Sequence, residues 1–466
     1  MIPFPESADQ FYALRDDRTN SCSGVIRAYQ ETFCALCLSP SMADTASGQA
    51  MFLVAANLLS RWCRDVQLVL PPTPVRPSLG FGAGDLGDVA ISQMHDADPF
   101  GSFRITQGPV TAQAAVCIGD GNLESVPMKV YINASGWLAS LSYEGPTALT
   151  KATDENYLGA VAAACLGVAQ LFKAAIAAPP ERSFREGTFD LFRLEWVADS
   201  NAVQAPWPED RNIGNVLMVG AGSVGSAAAY CMRLAQLAGQ MTILDHDYAK
   251  VENFNRSPLF GRDTFMLSKS EVAAKFLRHS RISAHPLQMS WDDFVRTRTR
   301  DSLDFDVWLP LANEQNVRSA MQNNIPPLMI HASTSSDWGV NHGRHIPGKD
   351  DCLVDRFRTQ VTADDLTCAT GKVTIGEISI DAALPFSSMF AGVLIAADLV
   401  RAQLPGYPQI PNFAFLDWFG AFDTIQAWDR KTQAGCICTQ QGRAFHERFN
   451  GHTKYFPLFQ RGTQQR

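Results

Sequence analysis

One stretch constrains the fold of this chain more than any other. An apolar run, Val216 to Val219, enters the turn Gly220-Ala221-Gly222-Ser223-Val224-Gly225. An alanine-rich helical stretch follows, and a second apolar run, Met241 to Leu244, delivers Asp245. That succession predicts a strand, a crossover helix and the next parallel strand. Glycines at the strand-to-helix turn let the backbone approach a phosphate, the helix N-terminus offers free N–H donors, and a carboxylate at the end of the second strand can accept a ribose hydroxyl. The expected class is α/β, with a Rossmann-like, mostly parallel sheet carrying helices on both faces. An acidic residue about twenty positions past the glycines fits NAD as well as ATP.

The residues downstream separate those two ligands. Asp247, Asn253, Arg256 and Lys269 follow, the last opening the helical run Glu271-Val-Ala-Ala-Lys-Phe-Leu. Amide, guanidinium and ammonium groups beside a phosphate cradle suit a nucleotide that loses pyrophosphate, because they neutralise charge on the leaving group. Hydride transfer has no use for them. The ordered set Gly220, Gly222, Gly225, Asp245, Asp247, Asn253, Arg256, Lys269 resembles the ThiF/MoeB adenylyltransferases and the adenylation domain of ubiquitin-activating enzymes. The resemblance implies that Asp245 holds the ribose of ATP and that Asn253, Arg256 and Lys269 hold its triphosphate. It further implies activation of the C-terminal carboxylate of a ubiquitin-like protein as an acyl adenylate. The family usually places an aspartate for Mg²⁺ where this chain has Asn313, with Glu314 beside it. A neutral amide oxygen binds a hard cation less well than a carboxylate does, so metal affinity is expected to fall unless Glu314 or Asp247 compensates.

At 466 residues, the chain is long enough for two or three domains. Residues 1 to about 65 read as helical, and short β-like runs dominate from Val66 to Tyr143. The proline-bearing segment from Ala177 to Trp207 reads as a linker. The apolar helix predicted over 156–176 resembles Met389 to Ala402, both rich in small residues. Residues 1–205 are therefore expected to be a degenerate, inactive adenylation-like repeat, paired as a pseudo-dimer with an active domain over 206–466. Gly80-Phe81-Gly82-Ala83-Gly84 is not preceded by a clear strand and is expected to bind nothing. Relatives with two repeats lend an arginine from the inactive half to the phosphates, and Arg15 and Arg18 are the candidate donors here.

A net charge of −8 argues against nucleic acid as the main partner. The N-terminus lacks the basic and apolar regions of a leader, and no run of eighteen uninterrupted apolar residues occurs, so a cytoplasmic, membrane-free protein is expected. Eleven scattered cysteines do not form a disulfide framework. Cys352, Cys436 and Cys438 fall where many relatives carry the paired cysteines of a structural zinc site, with Asp355 in the fourth ligand's slot; zinc is possible there on chemical grounds. Cys368 lies in the polar segment Asp364-Asp-Leu-Thr-Cys-Ala-Thr-Gly, where ubiquitin-activating relatives keep the cysteine that takes the acyl group as a thioester. Arg256 and Lys269 are the other expected catalytic residues. A carrier (conjugating) enzyme would follow, recruited by the N-terminal half or by Tyr455 to Phe459, since no room remains for a ubiquitin-fold recruitment domain. Size and fused halves resemble the activating enzymes of bacterial antiphage conjugation operons. A sulfur-carrier adenylyltransferase without a thioester and a non-catalytic scaffold are the alternatives.

Overall fold

A computed structural model describes residues 2–16, 19, 27–121, 123–149, 155–178, 183–197, 205–299, 302–312, 315–335, 338–353, 373–375, 378–380, 384–404, 407–418, 425–432, 435–440, 454–455 and 458. Two eight-stranded sheets organise it. The first takes its strands from β1 (Phe33–Leu38), β2 (Asp65–Val69), β3 (Ser102–Ile105), β4 (Ala114–Ile118), β5 (Met128–Ser135), β6 (Leu138–Ser142), β7 (Gly187–Asp190) and β8 (Glu195–Val197). The second begins with β9 (Asn212–Val219), β10 (Ala238–Leu244), β11 (Arg281–Leu287), β12 (Val307–Pro310), β13 (Met329–Thr334) and β14 (Gly339–His345). A separate hairpin, β15 (Val373–Ile375) and β16 (Ile378–Ile380), precedes its last strands, β17 (Phe413–Asp417) and β18 (Ile425–Trp428).

The two sheets have one topology. Their spatial orders are β3-β2-β1-β4-β5-β6-β7-β8 and β11-β10-β9-β12-β13-β14-β17-β18. In each, the first five strands run parallel and the last three antiparallel. The likeness between the two alanine-rich helices is thus topological: Leu158–Ala175 joins β6 to β7, and Pro385–Arg401 joins β14 to β17.

These helices also join the halves. Ala46–Leu59 packs on Leu158–Ala175, which packs on Pro385–Arg401, which packs in turn on Ser223–Leu234. Small residues permit the approach: a Cβ at Gly392 would lie 2.4 Å from the backbone carbon of Ala227. One continuous hydrophobic core therefore runs through both halves. Leu158–Ala175 alone among the described residues is long and apolar enough to cross a membrane, and 89% of it is buried inside the protein.

Two expectations need correction. Phe33 to Leu38 lies within the stretch read as helical, yet it is the central strand β1, buried from Cys34 onward. The segment read as a linker contains β7 and β8, which complete the first sheet. Of its prolines, Pro179 and Pro180 lie outside the described residues.

Candidate active site

β9 ends in the glycine turn, and each glycine has a distinct task. Gly220 adopts φ +99°, and a Cβ there would lie 2.4 Å from the Ala312 nitrogen, so the turn closes against the chain leaving β12. A Cβ at Gly225 would lie 2.1 Å from the Gly220 oxygen, so this glycine lets the Ser223–Leu234 helix pack against the turn. At Gly222 a Cβ would meet nothing within 4 Å. The helix N-terminus therefore opens onto free space at that one glycine, where donors unused by the helix can meet an anion.

β10 lies beside β9 and carries Asp245 to the same edge. Its Oδ2 accepts the Ala221 N–H at 2.7 Å, and its Oδ1 accepts the Asp247 N–H at 2.9 Å. Burial pushes the Asp245 carboxyl up, opposed by the Asp247 amide, Lys269 and the Ala221 amide. Asp247 has the opposite balance. Burial raises it, but the hydrogen bond from Lys269, the Tyr248 amide and the nearby lysine charges outweigh that and hold it at about 2. Lys269 Nζ stands 2.7 Å from Asp247 Oδ2, and Lys250 Nζ 3.3 Å from Oδ1. Asp245, Asp247 and Lys269 thus form one charged edge beside the glycine turn.

Asn253 and Arg256 sit on the loop between Lys250 and Lys269. Asn253 Oδ1 accepts the Lys250 N–H, and Arg256 Nη1 donates to the Glu252 carbonyl and to Asn255 Oδ1. This loop is held from the N-terminal half. Arg61, buried at the end of the Ala46–Leu59 helix, donates to the carbonyls of Phe254, Pro258 (2.8 Å) and Phe260 (3.1 Å). Asn57 Nδ2 adds a bond to the Pro258 carbonyl, Asn255 donates to Thr19, and the Asp263 N–H donates to Asp96. Burial pulls the Arg61 guanidinium down to about 9, with Asp96 acting against it. Sequence reasoning missed Arg61; nothing marks it among the chain's arginines until the fold brings the halves together.

Arg15 is engaged elsewhere. It is wholly buried, paired with Asp16 and Asp98 at 2.6 Å each, and also donates to the Ser60 carbonyl. Arg18, Asn313, Glu314, Asp355 and Cys368 lie outside the described residues. Asp247, the described carboxylate expected to help with Mg²⁺, is committed to Lys269 and Lys250.

A second cluster lies across the C-terminal half. Cys352, Cys436 and Cys438 are fully buried with their sulfurs within 4.8 Å of one another. His345, at the end of β14, brings its Nε2 to 3.3 Å from Cys438 Sγ, while its Nδ1 lies 2.8 Å from the Asp351 carbonyl. A carbonyl on Nδ1 fixes the ring so that Nε2 presents a lone pair, the usual arrangement around a histidine ligand. Gln322 Nε2 approaches Cys438 Sγ at 3.6 Å, a donor suited to a thiolate. Three thiolates and an imidazole make a donor set that zinc takes; the three sulfurs lie within 4.8 Å of one another, and His345 reaches the group through Cys438. Sequence reasoning did not place His345 with the cysteines; its position at the end of β14 brings it to Cys438. Of the tail segment from Tyr455 to Phe459, the described residues Tyr455 and Leu458 are buried: Tyr455 Oη donates to the Ile213 carbonyl, and the Leu458 carbonyl accepts from Lys349.

Residues 211–305 match the ThiF family, and residues 34–191 match the BilD N-terminal domain. An uncharacterized protein of Sinorhizobium fredii, y4jF, is 26% identical over 321 residues, which make up 68% of this chain and 59% of that protein. The chain therefore matches less than two thirds of that relative's length. Among solved structures, the chain is similar to Escherichia coli MccB with MccA-N7isoASN, at 17% identity and TM-score 0.36, covering 48% of this chain and 67% of that one. MccB alone gives 18% identity and TM-score 0.35, with 48% and 64% covered. The chain thus carries a ThiF-family domain over residues 211–305, joined to a BilD N-terminal domain over residues 34–191.

Proposed function

We propose that this protein uses ATP to adenylate the C-terminal carboxylate of a ubiquitin-like protein and then takes the acyl group as a thioester on Cys368. In the first step a carboxylate oxygen attacks the α-phosphorus of ATP, the α–β anhydride bond breaks and pyrophosphate leaves. In the second, the Cys368 thiolate attacks the acyl carbon and AMP leaves. A conjugating enzyme's cysteine would accept the acyl group next.

The observation that carries the reading is the charged edge beside Gly222. Asp245 is oriented by the Ala221 and Asp247 amides, as a ribose acceptor requires, and Lys269 is held at the open turn by Asp247. Neutralising the departing pyrophosphate falls to Lys269 and Arg256, with Asn253 as a hydrogen-bond donor, groups without purpose in hydride transfer. Mg²⁺ bound to the phosphates would add charge neutralisation. Zinc on Cys352, Cys436, Cys438 and His345 would be structural, tying β14 to the segment around Cys436.

The test is incubation with ATP, Mg²⁺ and candidate ubiquitin-like proteins, read on a non-reducing gel. A thiol-sensitive adduct lost in Cys368→Ala is expected. An adduct that survives Cys368→Ala moves the nucleophile elsewhere. Pyrophosphate release without any adduct would favour an enzyme that stops at the acyl adenylate.

A further inference from the structure

Along the Lys269–Leu277 helix, a groove of about 690 Å³ lies between the two halves. Its volume falls in the range of small-molecule sites. Gly80 and Phe81 line it from the N-terminal half, and Leu259, Leu267, Val272 and Phe276 from the other. Leu267 stands 42% exposed at its mouth.

Arg233 also lines this groove, and its surroundings are incomplete. The side chain is 7% exposed, its guanidinium lying 5.0 Å from the Phe81 ring centroid and 4.3 Å from that of Phe276. Its one hydrogen bond, from Nη1 to the Phe276 carbonyl, is long at 3.5 Å, and Nε has no acceptor. Among the described residues no carboxylate forms an ion pair with it, and Tyr230 is the only group raising its pKa against burial. Two aromatic faces and the carbonyls at the end of the Ser223–Leu234 helix offset part of the cost of burying the cation. Neither supplies a counter-charge, and an uncompensated buried charge is expensive. Lys275 and Arg278 around the rim outnumber Glu271.

We propose that the groove binds a small organic anion, with its carboxylate or phosphate on Arg233 and its apolar body against Phe81, Leu267 and Phe276. Because Phe81 and Phe276 belong to different halves, the ligand bridges them. Gly80-Phe81-Gly82, expected from the sequence to bind nothing, forms one wall: a Cβ at Gly80 would lie 3.1 Å from Arg233 Nε, so the absent side chain lets the guanidinium fit. The site is separate from the nucleotide edge, and its test does not depend on adenylation.

The experiment is calorimetric titration of the full chain with decanoate, decyl phosphate and decanol. Saturable binding of at least one of the two anions is expected, and the stronger of them identifies the head group; decanol should bind about tenfold more weakly or worse, as loss of a charge-assisted contact implies. Arg233→Met should weaken the anion by a similar factor while melting, without ligand, at or above the wild-type temperature, because it removes an unpaired buried charge. Leu267→Glu places a like charge at an exposed position of the mouth and should weaken the same anion, which keeps the test decisive if Arg233→Met misfolds. Equal binding of decanol, unchanged affinity in Leu267→Glu, or no saturable binding of either anion would overturn the proposal.

Discussion

Lys269 Nζ lies 2.7 Å from Asp247 Oδ2, the two residues coming from the helix after the nucleotide loop and from the end of the β10 edge. The ion pair holds the ammonium beside the open glycine turn, where incoming phosphate oxygens would compete with the carboxylate for it. Lys269→Ala should lower kcat/KM for adenylation by roughly a hundredfold or more, the usual cost of one preorganised charge in a transition state. Asp247→Asn should change KM for ATP more than kcat. Steady-state kinetics of the two variants check both, and equal losses would contradict the division of roles.

The three glycines should separate structure from binding. Gly222→Ala should fold with a near-wild-type melting temperature, since its Cβ has room, yet bind ATP more weakly. Gly225→Ala should fail to reach the wild-type fold, because its methyl group would meet the Gly220 oxygen. Thermal melts with and without ATP distinguish the two.

Arg61 links the halves. Arg61→Ala leaves the Phe254 and Phe260 carbonyls without their buried donor and the Pro258 carbonyl with Asn57 alone, and should destabilise the protein by about 3 kcal/mol. Arg61→Lys cannot span the three acceptors and should recover little of that loss. Denaturant unfolding measures both.

Much of the nucleotide edge was legible because its residues are close in sequence: the glycine turn and Asp245 belong to one βαβ unit, and Lys269 opens the helix that follows it. Other features depend on contacts far along the chain. The run Phe33-Cys-Ala-Leu-Cys-Leu has neither helical spacing nor β-branched residues, so only its place between β2 and β4 makes it a strand. β7 and β8 are short and flanked by prolines, and they look like linker until the sheet is assembled. His345 joins the cysteine cluster from a strand edge, and Arg61 acts across the two halves; neither geometry can be read from local spacing.

The cysteine cluster gives a prediction about metal. Purified protein should contain about one zinc per chain, and cobalt in its place should show the spectrum of a tetrahedral thiolate site. His345→Ala should reduce metal content and melting temperature, whereas His345→Cys should retain metal. Elemental analysis checks the first part, and full zinc content in His345→Ala would exclude the histidine as a ligand.

Acid stability should depend on Asp398. Burial raises its pKa, but Arg401 Nη2 at 2.7 Å and His342 Nε2 at 2.9 Å outweigh this and hold the carboxyl at about 2. A depressed folded-state pKa stabilises the protein above the unfolded value near ~3.9, and that stability fades as pH falls through about 2. The contribution is on the order of 2 kcal/mol. Asp398→Asn should be less stable at neutral pH, because Arg401 is left buried without its partner, and should lack this acid-dependent loss. Urea unfolding from pH 6 to pH 2 measures the difference.

The most direct measurement of the central claim is exchange of labelled pyrophosphate into ATP that depends on a ubiquitin-like protein. With Mg²⁺ and a ubiquitin-like protein ending in a free glycine carboxylate, exchange is expected, and it should disappear in Lys269→Ala and when the terminal carboxylate of the ubiquitin-like protein is amidated. No exchange across a panel of such proteins, together with a fold protected by NADH and indifferent to ATP, would contradict the claim.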